Sequence, residues 1–121
     1  MKNQNNKIVS LYDLKKINID SDVRKRIVLC HGVFDLLHLG HIKYFQEAKS
    51  YGDVLIVTVT SDEYVRRGPG RPVFNAEHRA EAIAALDVVD YVAVNQWPTA
   101  IKTIELIKPN FYVKGPDYKN H

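Results

Sequence analysis

The sequence predicts an α/β fold, a doubly wound parallel sheet, and three observations carry that prediction. Short apolar runs alternate along the chain with stretches in which apolar residues recur at helical spacing, the pattern of parallel strands joined by crossover helices. The run Val54-Leu55-Ile56-Val57-Thr58-Val59 is almost continuously β-branched, as befits a strand covered on both faces. Charged motifs follow the strands, where such sheets bind ligands beyond their carboxyl ends.

Residues 1–24 read as a polar N-terminal segment with one short helix. The first six residues are polar and are expected to be disordered, and Leu11 to Ile17 is expected to be helical with Ser10 as its cap. Ile27 to Cys30 is the first strand. A helix follows from about Leu39 to Tyr51, with Ile42, Phe45 and Ala48 at helical spacing, and Gly52 as its left-handed stop. Val54 to Val59 is the second strand, and Ser61-Asp62 caps a short turn after it. Arg66 to Phe74 is rich in glycine, proline and arginine and reads as a mobile basic loop. Asn75 caps a helix running through Leu86. Tyr91 to Val94 is the third strand, and Pro98 suits the first turn of a helix that reaches Ile107. Lys108-Pro109-Asn110 ends that helix, and Phe111 to Val113 is the fourth strand.

Composition narrows the function. The chain has 121 residues, 45% hydrophobic and 26% charged, which suits one small globular domain. No apolar run approaches the roughly 20 residues that span a bilayer, so no membrane partner is expected. The single cysteine, Cys30, fits a cytoplasmic protein and reads as core packing. The net charge of +3 is mild, and the clusters Arg24-Lys25-Arg26 and Arg66-Arg67 with Arg71 lack the interleaved aromatics of a nucleic-acid face. An anionic small molecule explains the second cluster equally well.

Gly32-Val33-Phe34-Asp35-Leu36-Leu37-His38-Leu39-Gly40-His41 bridges the first strand and the next helix. Helix N-termini carry free N–H groups and a positive dipole end, so a histidine pair there suits phosphate. Gly32 and Gly40 allow the backbone to approach a ligand closely. The competing readings are a zinc pair, for which no third ligand has suitable local spacing, and two structural histidines.

This Gly-x-Phe-Asp-x-x-His-x-Gly-His stretch resembles the signature of the cytidylyltransferase-like nucleotidyltransferases, and the likeness runs from about Lys7 to the end of the chain. The opening Lys7 to Leu14, and Ser61-Asp62-Glu63-Tyr64-Val65-Arg66 with Arg71-Pro72-Val73, are similar to the adenylyltransferase domain of heptose 1-phosphate enzymes. Gly40-His41-Ile42-Lys43 and Ser61-Asp62-Glu63 also resemble glycerol-3-phosphate cytidylyltransferase. That type carries Arg-Tyr-Val-Asp where this chain has Asp87-Val88-Val89-Asp90, which favours a sugar-phosphate acceptor.

The resemblance implies a Rossmann-like nucleotidyltransferase domain over residues 25–121. Family members continue into a fifth strand and a Ser/Thr-rich second motif, so the sheet is expected to be truncated after the fourth strand and the chain to be a fragment or an inactive form. The implied reaction joins a nucleoside monophosphate from CTP or ATP to a sugar phosphate, heptose 1-phosphate-like, and releases pyrophosphate. A glycerol-3-phosphate acceptor and a non-catalytic nucleotide-binding fragment are the alternatives. By resemblance, His38, His41 and Lys43 are catalytic, and Mg2+ rides on the nucleotide phosphates. Gly32, Val33, Phe34, Asp35, Gly40, Lys114, Gly115 and Asp117 bind the nucleotide, with Tyr118 a stacking candidate. Arg66, Arg71 and Arg79 meet the acceptor phosphate. A homodimer and a fused or partner sugar kinase are the implied protein partners.

Overall fold

The computed structural model of the chain describes residues 4–20, 25–65 and 68–115. Strands β1 (Ile27–Gly32), β2 (Val54–Thr60), β3 (Tyr91–Asn95) and β4 (Phe111–Tyr112) form one four-stranded sheet in the order β3-β2-β1-β4. Every pairing in it is parallel. The helices are α1 (Gln4–Lys7), α2 (Leu11–Asp20), α3 (Leu39–Lys49), α4 (Ala76–Ala84) and α5 (Ile101–Ile107).

The sheet is buried on both faces, and alternate strand residues divide between them. On one face Val28, Cys30, Leu55 and Val57 pack with Phe45 and Ala48 of α3 and with Ala80 and Ile83 of α4. On the other, Ile27, Leu29, Ile56 and Ala93 pack with Leu11 and Leu14 of α2 and Ile107 of α5. The chain grows outward from β1 through β2 to β3, then crosses back along α5 to set β4 on the far side of β1. Sheet growth therefore reverses between β1 and β4, and the crevice at such a reversal is where a ligand fits. Asn110 fixes the register there, its Oδ1 accepting from Ile27 N at 2.8 Å and its own amide donating to Ile27 O at 2.9 Å.

Several elements differ from expectation for local reasons. Residues 4–7 are helical although their polarity predicts disorder; Lys7 is buried, and its Nζ donates to Leu86 O at 3.0 Å. Helix α2 extends beyond Ile17 to Asp20, and Ser10 does cap it, with Oγ accepting from Asp13 N at 3.0 Å. Gly52 is not a left-handed stop, since α3 ends on Ser50 in the right-handed region and the positive-φ glycines among the described residues are Gly68 and Gly70. A Cβ on Gly52 would lie 2.7 Å from Arg26 O, so the glycine serves the close approach of this turn to β1. Helix α5 begins at Ile101 and not at Pro98, because Asn95 Nδ2 donates to the carbonyls of Trp97 and Thr99 and holds that segment in turns. Lys108, at φ 53°, supplies the left-handed stop of α5.

Cys30 lies in the core as expected, and burial pushes its thiol up to about 11, which keeps it protonated. Among the described residues no helix is long and apolar enough to cross a membrane.

His31 makes the fold sensitive to acid. Burial pushes its imidazole below the usual value, against an opposing hydrogen bond with the Thr58 backbone, and Thr58 Oγ1 lies 2.9 Å from Nδ1. The unfolded chain therefore binds this proton first as pH falls below about 6.5, and stability drops from there down to the folded-state pKa. Urea midpoints measured from about pH 7.5 to about pH 5 should fall for the wild type and fall less for His31→Gln. Equal slopes would contradict the assignment.

Candidate active site

A cleft of about 470 Å³ opens beside the carboxyl end of β1, lined by Val33, Phe34, Asp35, Leu36, His38, His41 and Arg71. Its volume lies within the range of small-ligand sites. The floor is the N-terminus of α3, whose first amides need acceptors. His38, in extended conformation at the N-cap, accepts from Gly40 N at 3.0 Å through Nδ1. His41 reaches back, and its Nδ1 accepts from His38 N at 3.2 Å. The two imidazoles thus form a reciprocal capping box, an arrangement usually made by Ser or Thr with Glu or Gln. Their rings stack with centroids 3.9 Å apart. A neutral imidazole that accepts at Nδ1 carries its proton on Nε2. The cap therefore fixes the tautomer and places each ring proton on Nε2.

Phe34 backs this pair. Its ring meets the His41 ring edge-on, with centroids 5.2 Å apart and planes at 88°, and lies 5.1 Å from the Phe45 ring. The residue has φ 52°, a left-handed conformation that costs a non-glycine residue on the order of 1–3 kcal/mol. Gly32 makes room for it, because a Cβ there would stand 2.8 Å from Phe34 Cζ. The glycine expected to admit a ligand admits this ring.

Asp35 organises the neighbouring loop. Its carboxylate accepts from Val73 N at 2.9 Å, from Phe74 N at 3.0 Å and from Arg71 at 3.2 Å. Burial raises its pKa, but the Phe74 and Val73 amides and the Arg71 guanidinium outweigh that and hold the carboxyl below the usual range. The segment read as mobile is thus fastened at residues 71–74, after Gly68 and Gly70 at φ 96° and 77° and a cis Arg71–Pro72 peptide. Arg71 keeps its half-exposed guanidinium on the cleft, and the Asp35 carboxylate holds two amide bonds without it.

Arg79 departs from its expected place at an acceptor phosphate. It is only 2% exposed, and its guanidinium donates to Val33 O at 2.9 Å, Phe74 O at 2.9 Å and Asp62 Oδ1 at 2.6 Å. Those bonds tie together the segments after β1, after β2 and before α4, so its charge serves the scaffold. Ser61 precedes the 3-10 turn Asp62–Tyr64 without a side-chain cap bond; its Oγ is buried and has no partner among the described residues.

Lys43 is exposed in the first half of α3, and Gly40 lies in its first turn. Lys114 is exposed beyond β4. A Cβ on Gly115 would lie 3.5 Å from the Tyr44 ring, and the Tyr44 hydroxyl donates to Val113 O, so α3 is fastened to the segment after β4. Arg66, Asp117 and Tyr118 lie outside the described residues. No group of three or more His, Cys, Asp or Glu suited to a metal occurs among the described residues. With its oxygens taken up by three donors, Asp35 does not fit a magnesium ligand, so the ion would depend on phosphate oxygens and water.

A doubly wound sheet with an anion-suited helix end at its reversal point is the layout of a nucleotide-binding domain. The chain belongs to the cytidylyltransferase-like family, whose model matches residues 29–121. It is similar to the bifunctional protein HldE of Geobacter metallireducens, 51% identical over 96 residues that cover 78% of this chain and 20% of the relative. The bifunctional protein HldE of Aliarcobacter butzleri is 42% identical over 120 residues, 97% of this chain and 25% of the relative. The chain therefore spans about a fifth to a quarter of the length of these relatives. A solved lipopolysaccharide core biosynthesis protein from Thermoplasma volcanium superposes with TM-score 0.67 and 38% identity, over 73% of this chain and 72% of that one. Pantoate-beta-alanine ligase from Francisella tularensis, at TM-score 0.64 and 18% identity over 87% of this chain and 54% of that one, shares the fold alone.

Capping and ligand donation by the histidines are separable. His38→Asn/His41→Gln replaces the pair by ordinary capping residues and removes both imidazoles. Its thermal stability should stay within about 0.5 kcal/mol of wild type, whereas His38→Ala should lose about 1 kcal/mol. Equal losses in the two would show that the imidazole caps are not what holds the start of α3.

Proposed function

We propose that this chain is the nucleotidyl-transfer domain that joins AMP from ATP to a sugar 1-phosphate of the heptose type and releases pyrophosphate. The observation that carries the reading is the histidine capping box, whose two tautomer-fixed rings line a cleft that Arg71 also lines. The similarity to HldE proteins supports the heptose branch over the glycerol-3-phosphate type, and ATP over CTP. Those relatives are bifunctional and several times longer, and in them the second activity, a sugar kinase by family resemblance, lies outside the matched part.

In this reading an oxygen of the sugar phosphate attacks the nucleotide α-phosphorus in line. The new P–O bond forms as the bond to the bridging oxygen breaks, and pyrophosphate leaves with that electron pair. The acceptor is already ionised, so no strong general base is needed, and catalysis is positioning plus stabilisation of charge. His38 and His41 donate from Nε2 to the phosphates, and Lys43 adds positive charge from the same helix. Arg71 swings from Asp35 to the acceptor phosphate, which the two amides on Asp35 make inexpensive. Lys114 and Gly115, with Asp117, flank the nucleotide. Magnesium arrives on the triphosphate.

Calorimetric titration with ATP and CTP, each with magnesium, tests the reading beside a pyrophosphate-release assay on heptose 1-phosphate and glycerol 3-phosphate. ATP should bind selectively, and His38→Asn/His41→Gln should lose roughly 100-fold or more in turnover at nearly unchanged stability. Selective CTP binding, or turnover of glycerol 3-phosphate alone, would overturn the acceptor and base assigned here.

A further inference from the structure

Arg79 does not line the main cleft, yet it sits one residue behind the side chain that backs His41. Its guanidinium donates to Val33 O at 2.9 Å, and that carbonyl belongs to the peptide unit from which Phe34 turns to φ 52°. Fixing the plane of this peptide limits how Phe34 can relax toward negative φ. The following residue is pinned as well, since Asp35 is held by Val73 N and Phe74 N, while Phe74 O accepts from Arg79 Nε at 2.9 Å. Phe34 is thus clamped on both sides in a conformation that a non-glycine residue holds only when its surroundings impose it. Its ring then stands edge-on to His41 over a bare Gly32.

We infer that Arg79 is a positioning residue for the histidine pair, acting through the Val33 carbonyl and the Phe34 ring. Its guanidinium bonds go to Phe74, Val33 and Asp62, and the Asp62 carboxylate at 2.6 Å matches its charge. The functional meaning of this relay rests on the nucleotidyl-transfer reading, but its structural content does not.

The test is side-chain NMR of the histidines in the whole 121-residue chain, comparing wild type with Arg79→Lys, Phe34→Leu and the double variant. Lysine keeps the charge opposite Asp62 but cannot make the forked bonds to Val33 and Phe74. In Arg79→Lys the His41 ring resonances should move and the Phe34–His41 contact should be lost. His31, which faces the opposite side of the sheet beside Thr58, should stay in place and reports any general loosening. Phe34→Leu should displace His41 in the same way, and adding Arg79→Lys to it should bring no further change. Arg79→Gln makes the same comparison if a buried lysine prevents folding. Unmoved His41 resonances, equal movement of His31 and His41, or strictly additive shifts in the double variant would each overturn the relay. A wild-type chain that fails to bind nucleotide while the shifts appear as expected would instead refute the functional reading and leave the relay standing.

Discussion

The start of α3 must find acceptors for its first amides, and in this chain both acceptors are imidazoles. That constraint orders much of what surrounds it. An aspartate would satisfy the same amides but would present no donor. Two histidines satisfy them at Nδ1 and carry the ring proton on Nε2. The cap also sets which ring nitrogen carries the proton, so the side chains meet an anion with their donors already oriented and little rotamer entropy left to lose. The helix end adds its own positive partial charge along the same axis.

Behind this pair lie two buried ionic residues with different work. Asp35 gathers two amides and a guanidinium, enough to keep a largely buried carboxylate ionised. Arg79 spreads three bonds over three segments at the carboxyl edge of the sheet. A buried charge left without such partners would cost several kcal/mol, so these bonds are conditions for the residues being buried at all. The outcome is a preorganised cleft wall that includes a left-handed phenylalanine. Backbone strain of this kind persists where neighbouring structure over-determines it, most often at functional sites.

Much of this was legible in the residues. Strand and helix alternation located all four strands, because β-branched runs and helical spacing differ in period. The decapeptide from Gly32 to His41 indicated a strand-to-helix turn with an anion-suited end, and the turn is there. What stayed hidden depends on contacts distant in sequence. Nothing local to Gly52 shows that Arg26 O will lie where its Cβ would be. Nothing around Lys7 announces the Leu86 carbonyl, so a polar start reads as disordered. Arg79 was the sharpest case, since an arginine beside a basic loop reads as a phosphate ligand until its partners Val33, Asp62 and Phe74 are in view.

The Nε2–H groups of His38 and His41 are where phosphate is proposed to bind. Nitrogen-15 spectra of the histidine rings, followed as ATP and magnesium are added, test this directly. The expected result is that the Nε2 resonances of His38 and His41 move together and saturably, while the Nδ1 resonances keep their capping signature and His31 does not respond. Saturable nucleotide binding that leaves both Nε2 resonances in place would contradict the account, because the phosphates would then be seated elsewhere.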